Sequence, residues 1–468
     1  MDHYAQGGES GVVRPLGGVA DPTADTIVAV ATAPGPGAVG VVRISGPDAR
    51  RQATQIVGPL PPPRLAALRT FRDANRGVID RGLVLFFAGP ASYTGEDLIE
   101  FHTHGSPLLL ARLVRTLLAV GARHARPGEF TERAFLNGKL DLVQAEAVAD
   151  LIAAGTEQAL SAANRALAGD FSRTVAAIRA QLLELRARLE AIIDFADEED
   201  VQTGAALQTL ASSSQKLGDA IANLLATAQQ GQMLGRSHRV VICGRPNAGK
   251  STLMNALCGS ERAIVTATPG TTRDVLTAEL EIEGLVLTVA DTAGLRDTDE
   301  LIEREGIRRA HDEIANADLV LLVYEAGERC PEASEIFGKE PSAPVIRVRN
   351  KIDLLGEVAG ELSEGAMAEV ALAARDRSGL EVLRERIRDT LGLKPLVDTP
   401  LIARERHLAA LRDAMSELRF EEDDSFTLDL VLSAERLRRA HRALGELVGE
   451  FTSEDLLGEI FGRFCIGK

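Results

Sequence analysis

The stretch "RVVICGRPNAGKST", from Arg239 to Thr252, decides the fold of the middle of this chain. Its apolar first half predicts a buried strand, and its last residues open a helix that continues as "KSTLMNALCG". Between them, the spacing Gly-x-x-x-x-Gly-Lys-Ser is typical of a loop whose backbone N–H groups bind phosphate at a helix N-terminus. In such a loop Lys250 reaches the outer phosphates and the Ser251 hydroxyl ligates Mg²⁺. An ordinary glycine-rich turn is the alternative, but it would not explain the motifs that follow.

Three further motifs stand in the order that a GTPase requires. "TPGTTRD" supplies Thr272 as a second Mg²⁺ hydroxyl, and "DTAG" places Asp291 near the metal and the Gly294 N–H near the γ-phosphate. "NKID" follows a predicted strand, and the Asp353 carboxylate can accept from both N–H donors of guanine, a pair that adenine lacks. The motifs therefore predict GTP as the substrate. The predicted GTP-binding residues are Asn247, Ala248, Gly249, Lys250, Ser251, Thr252, Thr266, Thr272, Asp291, Thr292, Ala293, Gly294, Asn350, Lys351 and Asp353.

Composition is that of a globular protein without a membrane anchor. The 468 residues are 45% hydrophobic and 26% charged, and no apolar run is long enough to span a bilayer. No export signal precedes the first strand, so we expect a cytoplasmic protein. The formal net charge of −16 argues against a broad surface that coats nucleic acid. A local basic face remains possible, and "RLRRAHR" from Arg436 to Arg442 is either such a face or a solvated helix face.

The organisation along the chain indicates a domain inserted into a helical one. Residues 1–24 are predicted to be a disordered tail, and residues 25–138 alternate β-rich runs with amphipathic helix. Residues 139–234 are rich in helix-forming residues, residues 235–397 alternate strands with helices, and residues 398–468 return to helix and end in "FCIGK". The fold class is therefore α/β multidomain, with an α+β N-terminal domain, an α-helical bundle, and an inserted P-loop domain with a doubly wound sheet.

With these motifs placed, the chain closely resembles the tRNA modification GTPase family known as MnmE or TrmE, over about residues 25–468. The marks that carry the resemblance are "SYTGEDLIEFHTHGSP", "RPGEFTERAFLNGKLDLVQAEAVADLI", "GRPNAGKS", "TPGTTRD", "DTAGLR" and "FCIGK".

The resemblance implies a folate-binding N-terminal domain that also dimerises, and a Ras-like GTPase domain. It further implies a homodimer that works with an FAD-containing flavoprotein (MnmG, also called GidA). Together the two proteins install a carboxymethylaminomethyl or aminomethyl group at C5 of the wobble uridine of certain tRNAs. The carbon comes from 5-formyl- or methylene-tetrahydrofolate.

The resemblance also implies how GTP is hydrolysed although Leu295 stands where many GTPases have a water-orienting glutamine. G domains of two subunits meet, and a K⁺ ion replaces an arginine finger. The K⁺ ligands match Asn247, Thr266, Thr268 and Thr271. The carboxylate that orients the water matches Glu303, which acts with Lys250 and Thr272; the alternative for Glu303 is a solvated acid on a switch helix.

By the same resemblance, the folate site matches Arg43, Glu100, Lys139 and Lys468. A carboxylate suits the amino edge of a pterin and cations suit its glutamate tail, whereas isolated Arg and Lys are usually surface charges. Cys465 is either a catalytic thiolate or a small buried hydrophobe. His102 and His104 near Glu100 lack the third ligand of a metal site. The competing hypothesis for the whole chain is a regulatory GTPase that docks on ribosomes or assembly intermediates without transfer chemistry.

Overall fold

The computed structural model describes residues 25–194, 204–259, 277–282, 284–291, 315–332, 334–335, 341–362, 368–392, 401, 403–419, 429–450, 454–462, 464 and 467. The chain divides into two compact units, Met1–Leu140 with Ser453–Lys468, and Asp141–Thr452. Two units are coarser than the domains predicted above, whose limits remain a prediction, and the predicted tail at residues 1–24 lies outside the described residues. Among the described helices, none is long and apolar enough to cross a membrane.

The first unit is built on one mixed sheet. Its strands are β1 (Ile27–Val30), β2 (Gly37–Ser45), β3 (Ala67–Arg72), β4 (Val78–Phe87), β5 (Leu98–Gly105) and β6 (Arg123–His124), in the order β3-β4-β5-β2-β1-β6. Helices α1 (Ala49–Val57) and α2 (Pro107–Ala119) pack on one face, where alternate strand residues such as Val42 and Ile44 are fully buried. Helices α3 (Glu129–Leu136) and α12 (Glu454–Gly462) complete the described elements of this unit.

The opposite face of this sheet is covered at one end and open at the other. Ile27, Ala29 and Leu98 pack there against Phe130 of α3. Farther across the sheet, Leu68 and Leu83 are paired in register and remain 52% and 42% exposed. The sheet therefore keeps an open apolar area beside a covered one.

The second unit contains a helical bundle formed by α4 (Leu142–Ala153), α5 (Glu157–Leu167), α6 (Asp170–Asp194), α7 (Gly204–Leu234), α10 (Glu405–Leu418) and α11 (Leu430–Val448). Helix α4 begins at a capping box, in which Asp141 accepts from the Gln144 N–H and Gln144 accepts from the Asp141 N–H. Apolar residues every three or four positions of α6, from Phe171 to Ile192, face the core. That core also contains Leu411 and Leu437, so helices from both sides of the inserted domain form one bundle.

The inserted domain has a seven-stranded sheet. Its strands are β7 (Ser237–Gly244), β8 (Thr277–Ile282), β9 (Leu285–Asp291), β10 (Leu319–Glu325), β11 (Val345–Asn350), β12 (Gly360–Glu361) and β13 (Ala368–Ala371), in the order β12-β13-β11-β10-β7-β9-β8. The five central strands are parallel, and β8 and β12 pair antiparallel at the edges. Helix α8 (Lys250–Cys258) follows β7, and α9 (Leu380–Thr390) follows β13. The predicted fold class is confirmed.

Candidate functional site

The predicted nucleotide motifs follow strands that end at one edge of the inserted sheet. Strand β7 ends at Gly244, β9 at Asp291 and β11 at Asn350, and the three strands run parallel. Because the carboxyl ends of parallel strands meet at the same edge, the P-loop and "NKID" lie at that edge together with Asp291, the last residue of β9. The strand β7 lies between β10 and β9, which places the P-loop in the middle of this edge.

Within the P-loop, Lys250 is 7% exposed and its Nζ donates to the carbonyl oxygens of Gly244, at 3.1 Å, and Arg245, at 2.9 Å. Its ammonium group therefore lies over the loop itself. Asn247 has a left-handed backbone, with φ of +65°, and its side chain is exposed. Ser251 and Thr252 lie in the exposed first turn of α8, at the end of the helix that favours anions.

Asn350 joins the P-loop to the loop that contains Ala374. Its side chain is 1% exposed, and Nδ2 donates to the Ala248 carbonyl at 2.9 Å while Oδ1 accepts from the Ala374 N–H at 3.0 Å. The next residue, Lys351, pairs with Glu325 at 2.7 Å, and Asp353 is exposed. The three loops are thus one hydrogen-bonded unit.

Several predicted site residues lie outside the described residues. These are Thr266, Thr268, Thr271, Thr272, Thr292, Ala293, Gly294, Glu303, Cys465 and Lys468, and for Asp291 only the backbone is described. Their roles in holding Mg²⁺ and K⁺, in orienting the water and in the one-carbon chemistry stay predictions.

In the first unit, the structure brings Arg43 and Glu100 together. Arg43 Nη2 lies 3.1 Å from Glu100 Oε1, and the guanidinium carbon is 5.6 Å from the centre of the Phe130 ring. His102 Nε2 lies 3.1 Å from the other carboxylate oxygen of Glu100. Arg43 Nε is buried and has no hydrogen-bond partner among the described residues. The arrangement is a partly buried carboxylate held by two nitrogen donors.

The C-terminal segment reaches this cluster through Gly467. The Gly467 carbonyl accepts from Arg43 Nη1 at 3.4 Å. Gly467 has a φ of +100°, and a Cβ there would lie 2.1 Å from the Val30 carbonyl oxygen of β1. Only glycine permits so close an approach. Gly467 is therefore docked against the first strand, beside Arg43.

Lys139 contacts a neighbouring loop. Its Nζ donates to the Pro90 carbonyl at 3.1 Å, and Asn137 Nδ2 donates to the Thr94 carbonyl at 2.7 Å. Arg133, which is 1% exposed, binds Glu96 of the same loop at 3.1 Å. The motif "SYTGED" is thus fixed to α3, and among the described residues Lys139 contacts this loop and not Arg43 or Glu100.

The contact of His102 with Glu100 and that of Arg133 with Glu96 were not predicted from the sequence. For His102 a signal existed, because strand alternation places it on the same face as Glu100. For Arg133 no local signal existed, since its partner Glu96 lies 37 positions earlier.

The arginines of "RLRRAHR" are largely engaged with acceptors of the bundle. Arg438 and Arg439 pair with Glu435 at 2.7 and 3.2 Å, and Arg436 donates to carbonyl oxygens at the end of α10. This face of α11 is accordingly less positive than its sequence indicates.

The doubly wound sheet, the P-loop and the Asn350 bridge define a P-loop GTPase domain. Comparison with known proteins identifies the family. Residues 142–465 match the model "MnmE helical domain", and residues 26–139 match "GTP-binding protein TrmE N-terminus". The chain belongs to the MnmE family, as predicted.

Relatives named "tRNA modification GTPase MnmE" match nearly the whole chain. The Azoarcus protein is 49% identical over 95% of this chain and 98% of its own length. The Methylococcus capsulatus protein is 46% identical over 96% of this chain and 100% of its own length. Among solved structures, Aquifex aeolicus Era bound to GDP·AlF4⁻ is 25% identical over 40% of this chain and 69% of that chain, with a TM-score of 0.26.

Proposed function

We propose that this chain is a GTP-hydrolysing enzyme of tRNA modification. With a flavoprotein partner that carries FAD, it installs a carboxymethylaminomethyl or aminomethyl group at C5 of the wobble uridine of certain tRNAs. The observation that carries the proposal is the Asn350 bridge between the P-loop and the guanine motif. It stands in a chain whose relatives are tRNA modification GTPases over their full length.

Mass spectrometry of tRNA from a deletion strain tests this function. We expect the wobble uridine to lose the modification, the wild-type gene to restore it, and a Lys250→Ala gene to leave it absent. The presence or absence of the modification decides between the two functions. If the chain were a regulatory GTPase of ribosome assembly, its deletion would leave the wobble uridines modified as in the wild type.

GTP binds at the crevice where β7, β9 and β11 end. The backbone of residues 245–249 and the N-terminus of α8 hold the phosphates, and the Lys250 ammonium already lies over this loop. The exposed Asp353 accepts from guanine. Ser251 and Thr272 are the residues that hold Mg²⁺, which neutralises charge on the phosphates.

Hydrolysis is stimulated by K⁺ when the G domains of two subunits meet. Asn247 supports this role, because its exposed amide oxygen on a left-handed backbone is a hard ligand of the kind that alkali cations take. Thr266, Thr268 and Thr271 complete the ligand set. A K⁺ ion held by these residues would supply positive charge beside the negative charge that develops on the phosphates, as an arginine does. Glu303 orients the attacking water.

The one-carbon unit is held as 5-formyl- or methylene-tetrahydrofolate in the first unit. The residues present fit this ligand: Glu100 offers a carboxylate to a pterin edge, and the buried Nε of Arg43 still has a proton to donate. Lys139 and Lys468 bind the acidic tail. Cys465 is assigned to catalysis in the adjacent "FCIGK" segment, which Gly467 anchors at Arg43.

The protein works as a cytoplasmic homodimer joined through its N-terminal domains. The open end of the first sheet supports this assembly, because Leu68, Leu83 and Val39 are 52%, 42% and 57% exposed there. An apolar area of this kind marks an interaction surface. Light scattering of the purified protein should give a molecular mass twice that of one chain. Leu83→Glu should lower the measured mass toward that of a single chain.

A further inference from the structure

We propose that His102 is a positioning residue of the one-carbon site. It fixes the rotation of the Glu100 carboxylate that receives the two N–H donors of a pterin ring. The inference rests on the proposed folate site and deepens it, since it concerns how the ligand-binding carboxylate is held and not which residue binds.

The geometry divides the Glu100 carboxylate between two donors. Oε1 accepts from Arg43 Nη2 and Oε2 from His102 Nε2, each at 3.1 Å. The three side chains are 18% to 30% exposed, so the group is partly shielded from water and still open on one side. Each carboxylate oxygen can accept two hydrogen bonds. Counting only contacts with described residues, one acceptor position on each oxygen therefore remains for a ligand.

A restraint on the carboxylate matters because the χ3 torsion of glutamate has a broad distribution, so that the free carboxylate rotates at little cost in energy. A pterin edge presents two parallel N–H groups, so the carboxylate must lie in the plane of the pterin ring for each oxygen to accept one of them. Arg43 alone restrains one oxygen. With His102 on the other oxygen, the carboxylate is oriented before the ligand binds, which reduces the entropy lost on binding.

His104 provides a matched control within the same strand. It lies two residues after His102, so both side chains leave the same face of β5. His104 contacts Asp80 instead, with Nδ1 at 2.9 Å from Oδ1, and its side chain is 76% exposed. A general effect of removing a histidine from this strand is therefore separable from the effect of releasing Glu100.

The test is calorimetric binding of 5-formyltetrahydrofolate to the full chain. We expect His102→Leu to weaken binding about tenfold, the size of one hydrogen bond to a charged group. His102→Gln should stay within about twofold of the wild type, because the glutamine amide donates from nearly the same place as Nε2. His104→Leu should leave the affinity unchanged, and Glu100→Gln should weaken binding more than His102→Leu does.

Each result decides something. Equal losses for His102→Leu and His104→Leu, or no rescue by His102→Gln, would overturn the positioning role while leaving the folate site in place. An unaltered affinity in Glu100→Gln would overturn the folate site and the inference with it. Thermal melts of each variant identify a loss of folate affinity that comes from misfolding. If His102→Leu misfolds, the affinity of His102→Gln decides whether His102 positions Glu100.

Discussion

Glu146 on α4 and Arg406 on α10 form a two-bond ion pair, with Nε 2.8 Å from Oε1 and Nη2 2.6 Å from Oε2. The two residues are 260 positions apart in the sequence, and Glu146 precedes the inserted domain whereas Arg406 follows it. His407 Nε2 lies 2.8 Å from the same carboxylate, and Arg404 pairs with Asp150 at 2.9 Å. A polar cluster around the buried Glu146 and His407 therefore connects the helices of the bundle at the point where the chain returns from the G domain.

Neutralising Glu146 should destabilise the bundle strongly. The Glu146 side chain is 2% exposed, and removing one partner from a buried pair costs about 3 kcal/mol because the other charge stays buried. We expect this loss for Glu146→Gln in urea unfolding followed by circular dichroism. The matched control is Glu184→Gln, whose pair with Arg188 is more than 60% exposed on both sides and should cost about 0.5 kcal/mol or less. Equal losses would show that the cluster contributes no more than a surface pair.

The same cluster predicts a pH dependence of stability. Burial alone would raise the pKa of Glu146, but contacts with His407 and Arg406 lower it to about 2. Because this folded-state pKa lies below the ordinary 4.5, the ionised group stabilises the fold above that pH, and the contribution is lost as the pH falls toward 2.

Burial also lowers the pKa of His407 below its ordinary 6.5. The neutral imidazole therefore stabilises the fold near neutral pH, and this stabilisation is also lost as the pH falls below 6.5. Arg404, Arg406 and Asp150 are the other charged groups that face the pair. We expect the gap in unfolding free energy between wild type and Glu146→Gln to narrow from pH 7 to pH 3.5. A gap that stays constant over this range would contradict the low pKa of Glu146.

Gly284, in the turn between β8 and β9, lies against the end of the Gln158 side chain, which must move aside if Gly284 gains a Cβ. Its φ is +83°, and a Cβ would lie 1.7 Å from Gln158 Oε1 on α5. Gly356→Ala is the control, because that glycine has a φ of +65° and nothing within 4 Å. The backbone strain of alanine costs about 1 kcal/mol at either site, so any larger loss at Gly284 measures the overlap.

We therefore expect Gly284→Ala to lose more unfolding free energy than Gly356→Ala. The excess should disappear when Gln158→Ala is added. A persistent excess in the double variant would mean that the hairpin and α5 are not in contact as described.

Potassium should accelerate GTP hydrolysis far more than sodium. An arginine finger, whose place the ion takes, is worth about 10³–10⁵ in rate, and we expect a sizeable part of that range. Asn247→Ala should remove most of the difference between the two salts when phosphate release is measured in each. Equal rates in K⁺ and Na⁺ would rule out the ion site.

The GTPase site could be predicted from sequence because each of its parts is a short contiguous motif. The spacing from Gly244 to Ser251 already predicts a strand, a loop and a helix. Asn350 ends a strand that can be recognised from its apolar residues. No such local rule relates Glu146 to Arg406 or Arg43 to Gly467, because tertiary packing alone brings them together. The pairing of His102 with Glu100 lies between these cases, since alternation predicts the shared face but not the contact.

The contact between Arg43 and Gly467 spans 424 positions and has a consequence for synthesis on the ribosome. Chains emerge with the N-terminal end first, and domains generally fold as they appear. The first sheet thus leaves the ribosome early, yet the segment that docks against its β1 strand is translated after the whole G domain. A nascent chain therefore passes through a stage in which the proposed nucleotide-binding residues have all been synthesised and the proposed one-carbon site is still incomplete. Products of premature termination would stop at that stage.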